Sequence, residues 1–321
     1  MNLPDKVTLR EVALRDGLQS VERFVPTERK LEIITAVVAA GIRRVEATSF
    51  VSPKAVPQLK DAAAVMAGVP RGRAAYAALV PNARGARDAV DAGVDEIVVV
   101  ISASEAHNRE NIRRSIDASL AGLDEVFEIA LSAGVRVIGS VAVSFGCPFQ
   151  GDVPEADVFR IVAQYVRRGA RTVILADTTG MADPVRVYRR VAAFRERFPD
   201  TRPVLHFHNN RGTAMANLLA ALQAGADCFD TALGGIGGCP YVPRAAGNLA
   251  TADVAFMLEE MGVETGVDLR ELIPAAHRLE EILGFTLPGQ VMKSGPRDPR
   301  LAARICGVGG GPRDETRRRD S

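Results

Sequence analysis

Cysteine is scarce in this chain: 321 residues hold four, Cys147, Cys228, Cys239 and Cys306. They are widely separated and match no paired metal-ligand spacing, so a thiolate zinc site is not expected and the four read as reduced thiols. Excess charge of one sign is also lacking. Forty Lys and Arg stand against 39 Asp and Glu, interspersed, for a net charge of +1. That balance argues against nucleic acid or a membrane surface as the main partner, and an anionic ligand has to be met locally. Long apolar runs are missing. The longest, around Ile33 to Ala40, is far too short to span a bilayer. The first residues, Met1 to Lys6, carry neither an apolar signal core nor an Arg/Ser-rich presequence, which makes the cytoplasm the expected location. A glycine-rich dinucleotide fingerprint after the first expected strand is absent too, which counts against an open doubly wound sheet.

What is present is a globular balance, 47% hydrophobic and 25% charged residues, in a length that α/β barrels often fill as one unit. The informative stretch is Val204-Leu205-His206-Phe207-His208-Asn209-Asn210. Its apolar start after Pro203 and polar end before Gly212 read as a buried strand running into a loop. Alternation along a strand puts His206 and His208 on one face, roughly 7 Å apart at Cβ. Two imidazoles so placed can share one divalent cation. The plainer alternative is a pair of histidines satisfied by their neighbours.

A repeated unit frames that strand. Gly41, Gly93, Gly134, Gly169 and Gly225 each end a helical pattern just before a short β-branched run, the position where glycine closes a helix without a Cβ penalty. Five αβ junctions result. With Val7 to Arg10, Ala74 to Leu79 and Val204 to Phe207 added, eight strands alternate with helices, among them Thr27 to Ala40 and Ile112 to Ala133. The expected fold is a (β/α)8 TIM barrel with extra C-terminal helices, Asp253 to Met261 and Leu269 to Leu283, whose active site lies at the C-terminal strand ends. Residues 1–290 form this catalytic domain, and 291–321, rich in Pro, Gly and Arg, form an extension expected to be largely disordered.

The strand ends carry polar groups: Arg15-Asp16-Gly17 after strand one, Glu46 on strand two, Asp177-Thr178 after strand six, His206 and His208 on strand seven, and a loop Gly234-Gly235-Ile236-Gly237-Gly238-Cys239-Pro240 leading to Asn248 after strand eight. Each has an ordinary explanation alone, such as a turn cap for Asp16, an arginine partner for Glu46 or a helix cap for Asp177. A joint explanation is simpler. Asp16 and Asn248 supply oxygens and the histidines supply nitrogens to one divalent ion, Mg²⁺, Mn²⁺ or another of the first row, whose open positions accept substrate oxygens.

Arg15-Asp16-Gly17-Leu18-Gln19, Glu46-Ala47-Thr48-Ser49-Phe50-Val51-Ser52-Pro53-Lys54, His206-Phe207-His208, and the glycine loop through Gly247-Asn248-Leu249-Ala250-Thr251 resemble the 3-hydroxy-3-methylglutaryl-CoA lyases, from about Val7 to Leu283. The resemblance implies that Asp16, His206, His208 and Asn248 bind the cation. It implies that Arg15 and Gln19 meet an acyl-CoA substrate, that Cys239 is the loop thiol acting as acid, that Glu46 and Asp177 are active-site acids, and that the protein is a homodimer. The implied reaction is a retro-Claisen cleavage to acetyl-CoA and a 3-keto acid, with Asp177 or His206 as the base. Asn209-Asn210-Arg211-Gly212 stands where Asp-Thr-Tyr-Gly is usual, Ala176 replaces a usual Gly, and Val242-Pro243-Arg244 is bulkier and more basic than the residues common there. These differences open the acyl group to a related 3-hydroxy-3-alkylglutaryl-CoA. The rival readings are a condensing acyl-CoA synthase, which generally has an extra C-terminal region where fewer than forty residues follow Leu283 here, and a non-catalytic acyl-CoA-binding barrel.

Overall fold

The computed structural model describes residues 3–238 and 246–308. Its centre is a closed ring of eight parallel strands in sequence order: β1 (Thr8–Glu11), β2 (Arg44–Ser49), β3 (Ala75–Leu79), β4 (Glu96–Ser102), β5 (Arg136–Ala142), β6 (Thr172–Asp177), β7 (Arg202–Phe207) and β8 (Cys228–Thr231). β1 pairs with β8 and shuts the ring. Side-chain alternation separates two apolar layers. Val98, Ile138, Ile174, Ala176 and Val204 fill the barrel interior, while Val173, Leu175, Leu205 and Phe207 face the surrounding helices. This two-sided burial explains why the strands read as nearly continuous apolar runs.

The expected barrel is therefore the fold, and all five junction glycines have positive φ. The helical layer differs in detail. The segment expected as one helix over Ile112 to Ala133 is two, Ile116–Ala121 and Leu123–Ser132, and Ile112 itself ends a preceding helix, Glu105–Ile112. Arg113 turns left-handed at φ 57° and the Ser115 side chain caps the next helix at Ala118 N, a local hydroxyl bond that competes with helix continuation. A short helix at Ala62–Gly68 was not evident in the sequence. Past the barrel, Thr251–Glu260 and Leu269–Leu283 pack as expected, and Val291–Ser294 and Pro299–Cys306 continue the helical order beyond residue 290, with Val291, Met292 and Ala302 buried. Residues 309–321 lie outside the described residues. No helix among those described is long and apolar enough to cross a membrane.

Candidate metal centre at the barrel mouth

After β1 the chain makes a single π-helical turn, Ala13–Gly17, with the N–H groups of both Asp16 and Gly17 directed to Val12 O. Such wide turns recur at functional sites. Here the turn holds Arg15 and Asp16 over the barrel mouth. His206 is on β7, its side chain directed to the interior, and His208 follows the strand. Asn248 is brought beside them by backbone pairing: His208 bridges Asn248, and Asn209 N donates to Gly247 O at 2.8 Å. The close approach needs glycine. A Cβ on Gly237 would lie 2.3 Å from Asn248 Nδ2, and φ there is +132°.

Asp16, His206 and His208 are buried and offer one ligand atom each within 4.8 Å of one another. The two Nε2 atoms are 3.0 Å apart, and Asp16 Oδ2 is 3.6 Å from His208 Nε2 and 4.0 Å from His206 Nε2. Asn248 Nδ2 donates to Asp16 Oδ2 (2.8 Å) and Ile236 O (3.0 Å), which fixes the amide. Its Oδ1, although buried, has no hydrogen-bond partner among the described residues, and neither has His208 Nδ1. Buried polar atoms left unpartnered call for a missing ligand. A carboxylate oxygen and two imidazole nitrogens gathered within 4.8 Å, with an orphaned amide oxygen on the adjoining Asn248, form a group that could hold a divalent cation.

Electrostatics at Asp16 and His208 agree with that occupant, whereas at His206 burial, which lowers the pKa, is overcome by the Asp230 and Asp16 carboxylates, which raise it. Burial opposes ionisation of Asp16, yet the Arg15 guanidinium and the two imidazoles hold its carboxyl well below the usual range. His208 is pushed down, chiefly by burial, toward the neutral form that can ligate. Arg15 is itself fixed. Its Nε and Nη2 meet both oxygens of Glu46 at 2.9 and 3.0 Å, and Nη1 meets Asp16 Oδ1 at 2.7 Å. Glu46 thus does have an arginine partner, and that partner is the site's own. A register shift in β2 between Glu46 and Thr48 marks a bulge of the kind found beside active sites. Gln19 donates to Asp16 Oδ1 at 2.9 Å, so its amide braces the Asp16 carboxylate.

Asp177 ends β6 without a hydrogen bond to this cluster. Its Oδ1 accepts from Met181 N (2.7 Å) and Ala182 N (3.1 Å) and shapes the following loop, while its buried Oδ2 is unpartnered among the described residues. Burial raises its pKa to about 6, against the two N–H groups and the charges of His206 and Arg211. Helix Pro184–Arg197 is capped by Asp183 instead. Cys239 lies outside the described residues.

Two buried acids were missed in the sequence. Asp230, on β8, accepts from His206 Nδ1 at 3.2 Å and from Arg10 Nη1 at 2.8 Å. Glu11, on β1, accepts from Ala13 N, Leu233 N and Thr251 Oγ1, each at 2.8 Å, and so staples β1 to the segments that follow β8. An acid after the apolar Cys228 and Phe229 was the available signal for Asp230, and Glu11 directly follows a second charged residue, Arg10, on β1. Burial lifts the Glu11 carboxyl to about 7 from its ordinary 4.5, against those three hydrogen bonds. The folded protein therefore holds this proton more tightly than the unfolded chain. The resulting stability is complete below pH 4.5 and is lost as pH rises to about 7. Glu11→Gln keeps an acceptor for the N–H groups but does not titrate. Chemical denaturation across pH should show the variant gaining on the parent by up to about 3 kcal/mol between those limits, and a constant difference would refute the assignment.

A closed (β/α)8 barrel with a buried Asp/His/His/Asn cluster at the C-terminal strand ends defines a TIM-barrel protein with a candidate N/O metal site. A family model described as HMGL-like matches residues 6–278. The chain belongs to that HMGL-like family. It is 43% identical over 298 residues to a hydroxymethylglutaryl-CoA lyase of Bacillus subtilis, covering 92% of this chain and 100% of that one. It is 40% identical over 311 residues to an (R)-citramalyl-CoA lyase of Chloroflexus aurantiacus, covering 93% and 98%. Among solved structures, an HMG-CoA lyase from Acinetobacter baumannii in complex with coenzyme A and 3-methylmalate superposes with a TM-score of 0.88 at 43% identity, over 92% of this chain and 96% of that one.

Proposed function

We propose that this protein is a metal-dependent carbon–carbon lyase that cleaves 3-hydroxy-3-methylglutaryl-CoA, or a close 3-hydroxy-3-alkylglutaryl-CoA, to acetyl-CoA and acetoacetate or the corresponding 3-keto acid. The observation that carries this reading is the convergence of Asp16, His206, His208 and Asn248 at the barrel mouth beside a prearranged Arg15. When bound, a divalent cation supplies Lewis acidity and lowers the pKa of a coordinated hydroxyl. The residues do the rest. Three of the five N–H groups of Arg15 are committed to Glu46 and Asp16, which leaves two to meet the thioester oxygen as it becomes an enolate. Beside the mouth, a cavity of about 690 Å³ between Ser20–Arg23, Gly235–Gly238 and the chain around Phe285 and Lys293 offers two cations and an exposed aromatic ring to the coenzyme A arm. Cys239 is the acid that protonates the enolate carbon.

Of the two candidate bases, Asp177 fits better. His206 Nδ1 is committed to Asp230 and its Nε2 faces the cluster, whereas Asp177 has an unspent oxygen and a pKa of about 6. On this reading kcat/KM falls tenfold per pH unit below about 6 as the carboxyl takes up its proton. Asp177→Asn, which keeps an acceptor for Met181 and Ala182, removes turnover together with that limb. A variant that retains the acidic limb returns the role to another group. The activity itself is read by acetyl-CoA release from a panel of 3-hydroxyacyl-CoA thioesters that includes hydroxymethylglutaryl-CoA and citramalyl-CoA. Release of free CoA from acetyl-CoA and a 2-keto acid, with no cleavage of any thioester, would make the protein a condensing enzyme instead.

A further inference from the structure

The strand register sets Arg10, Asp230 and His206 side by side on three adjacent strands. Arg10 pairs with Asp230 across β1 and β8, and Asp230 pairs with His206 across β8 and β7. In-register neighbours of a sheet point to the same face, so the three form one row inside the barrel, directly beneath the metal cluster. Asp230 divides its oxygens: Oδ1 takes Arg10 Nη1 at 2.8 Å and Oδ2 meets His206 Nδ1 at 3.2 Å. Both charged residues are 2% exposed. A fully buried ion pair is a poor device for stability, because apolar residues of similar volume usually serve as well. Its placement calls for another reason.

We infer that Arg10 and Asp230 are positioning residues of the metal centre, which fix the His206 ring so that its Nε2 lone pair faces the cation. A carboxylate can only accept, so its bond to His206 requires the proton on Nδ1 and leaves Nε2 free to ligate. Arg10 holds Asp230 in place from the other side, through its Nη1 donation to Oδ1. His208 has no such support: its Nδ1 is unpartnered among the described residues, and the backbone bridge to Asn248 locates it instead. The two histidines are therefore not equivalent, and the ring on β7 is the one whose orientation is built from below. This inference rests on the metal-centre reading above and extends it two residues down the barrel.

The test is Mn²⁺ binding by isothermal titration calorimetry to the parent protein, Asp230→Asn, and a double variant, Arg10→Met with Asp230→Leu, that replaces the ion pair by apolar groups and so protects the fold. Each variant should bind Mn²⁺ about 10- to 100-fold more weakly, the usual effect of removing an outer partner of a ligand. The Co²⁺-substituted variants should also show an altered visible absorption spectrum, which a merely structural role would leave unchanged. Equal affinity and an unchanged Co²⁺ spectrum in folded variants, with or without a lower Tm, would overturn the inference. Failure of the parent to bind Mn²⁺ at all would instead remove the metal centre on which it rests.

Discussion

His206→Ala is expected to abolish detectable Mg²⁺ or Mn²⁺ binding and to lower turnover on the order of 10³-fold or more, with the protein still folded. The size follows from what the cation supplies: several kcal/mol of charge stabilisation, at 1.36 kcal/mol per tenfold in rate. The fold survives because the His206 side chain is bonded to two other side chains, Asp230 and His208, while the apolar layers on either side of β7 are untouched. Metal analysis of the dialysed protein and a steady-state assay at saturating Mn²⁺ read the two losses together. If activity persists with metal bound, His206 is not a ligand, and the pairing of its Nε2 with that of His208 at 3.0 Å has some other basis.

The second large effect is expected at Arg15. Arg15→Gln removes the donor aimed at developing negative charge, a loss of about 3 to 4 kcal/mol, or 10²- to 10³-fold in kcat, with KM changed far less. The same substitution strands Glu46, which is 1% exposed and has both oxygens on that guanidinium. Breaking a buried pair on one side costs about 3 to 5 kcal/mol of stability. The two consequences separate in the double variant Arg15→Gln, Glu46→Gln, which should regain most of the stability and none of the turnover. Recovery of both would make Arg15 a structural residue, and a rise in KM equal to the fall in kcat/KM would make it a binding residue.

Much of this was legible before any coordinates. The eight strands, the five glycine junctions and the His206/His208 spacing follow from local pattern alone, because strand alternation and helix termination are short-range physics. Asp16 could be named because it falls just past the end of β1, where a barrel places its chemistry, and Asn248 because the glycine-rich loop after β8 leads to it. The row of Arg10, Asp230 and His206 could not. Arg10 and Asp230 are 220 positions apart, and their meeting depends on which rung of β1 faces which rung of β8, a property of ring closure that no single segment encodes. The same holds for Glu11, whose partners Leu233 and Thr251 lie beyond β8. The break at Arg113 was hidden for another reason: flanking apolar periodicity continued through it, while the left-handed residue and the Ser115 cap decided the outcome locally.

The seam between β1 and β8 has a consequence for how the protein comes into being. Asp16 belongs to the first αβ repeat, His206 and His208 to the seventh, and Asn248 to the segment after the eighth, so a nascent chain holds no complete set of ligands until almost the whole ring has left the ribosome. A cation that binds only the closed ring adds RT ln(1 + [L]/Kd) to its stability. On the metal-centre reading it would act as a clasp between the segment after β1 and the segment after β8, and scarcity of the ion should then be felt as slower maturation and faster proteolysis as well as lost catalysis.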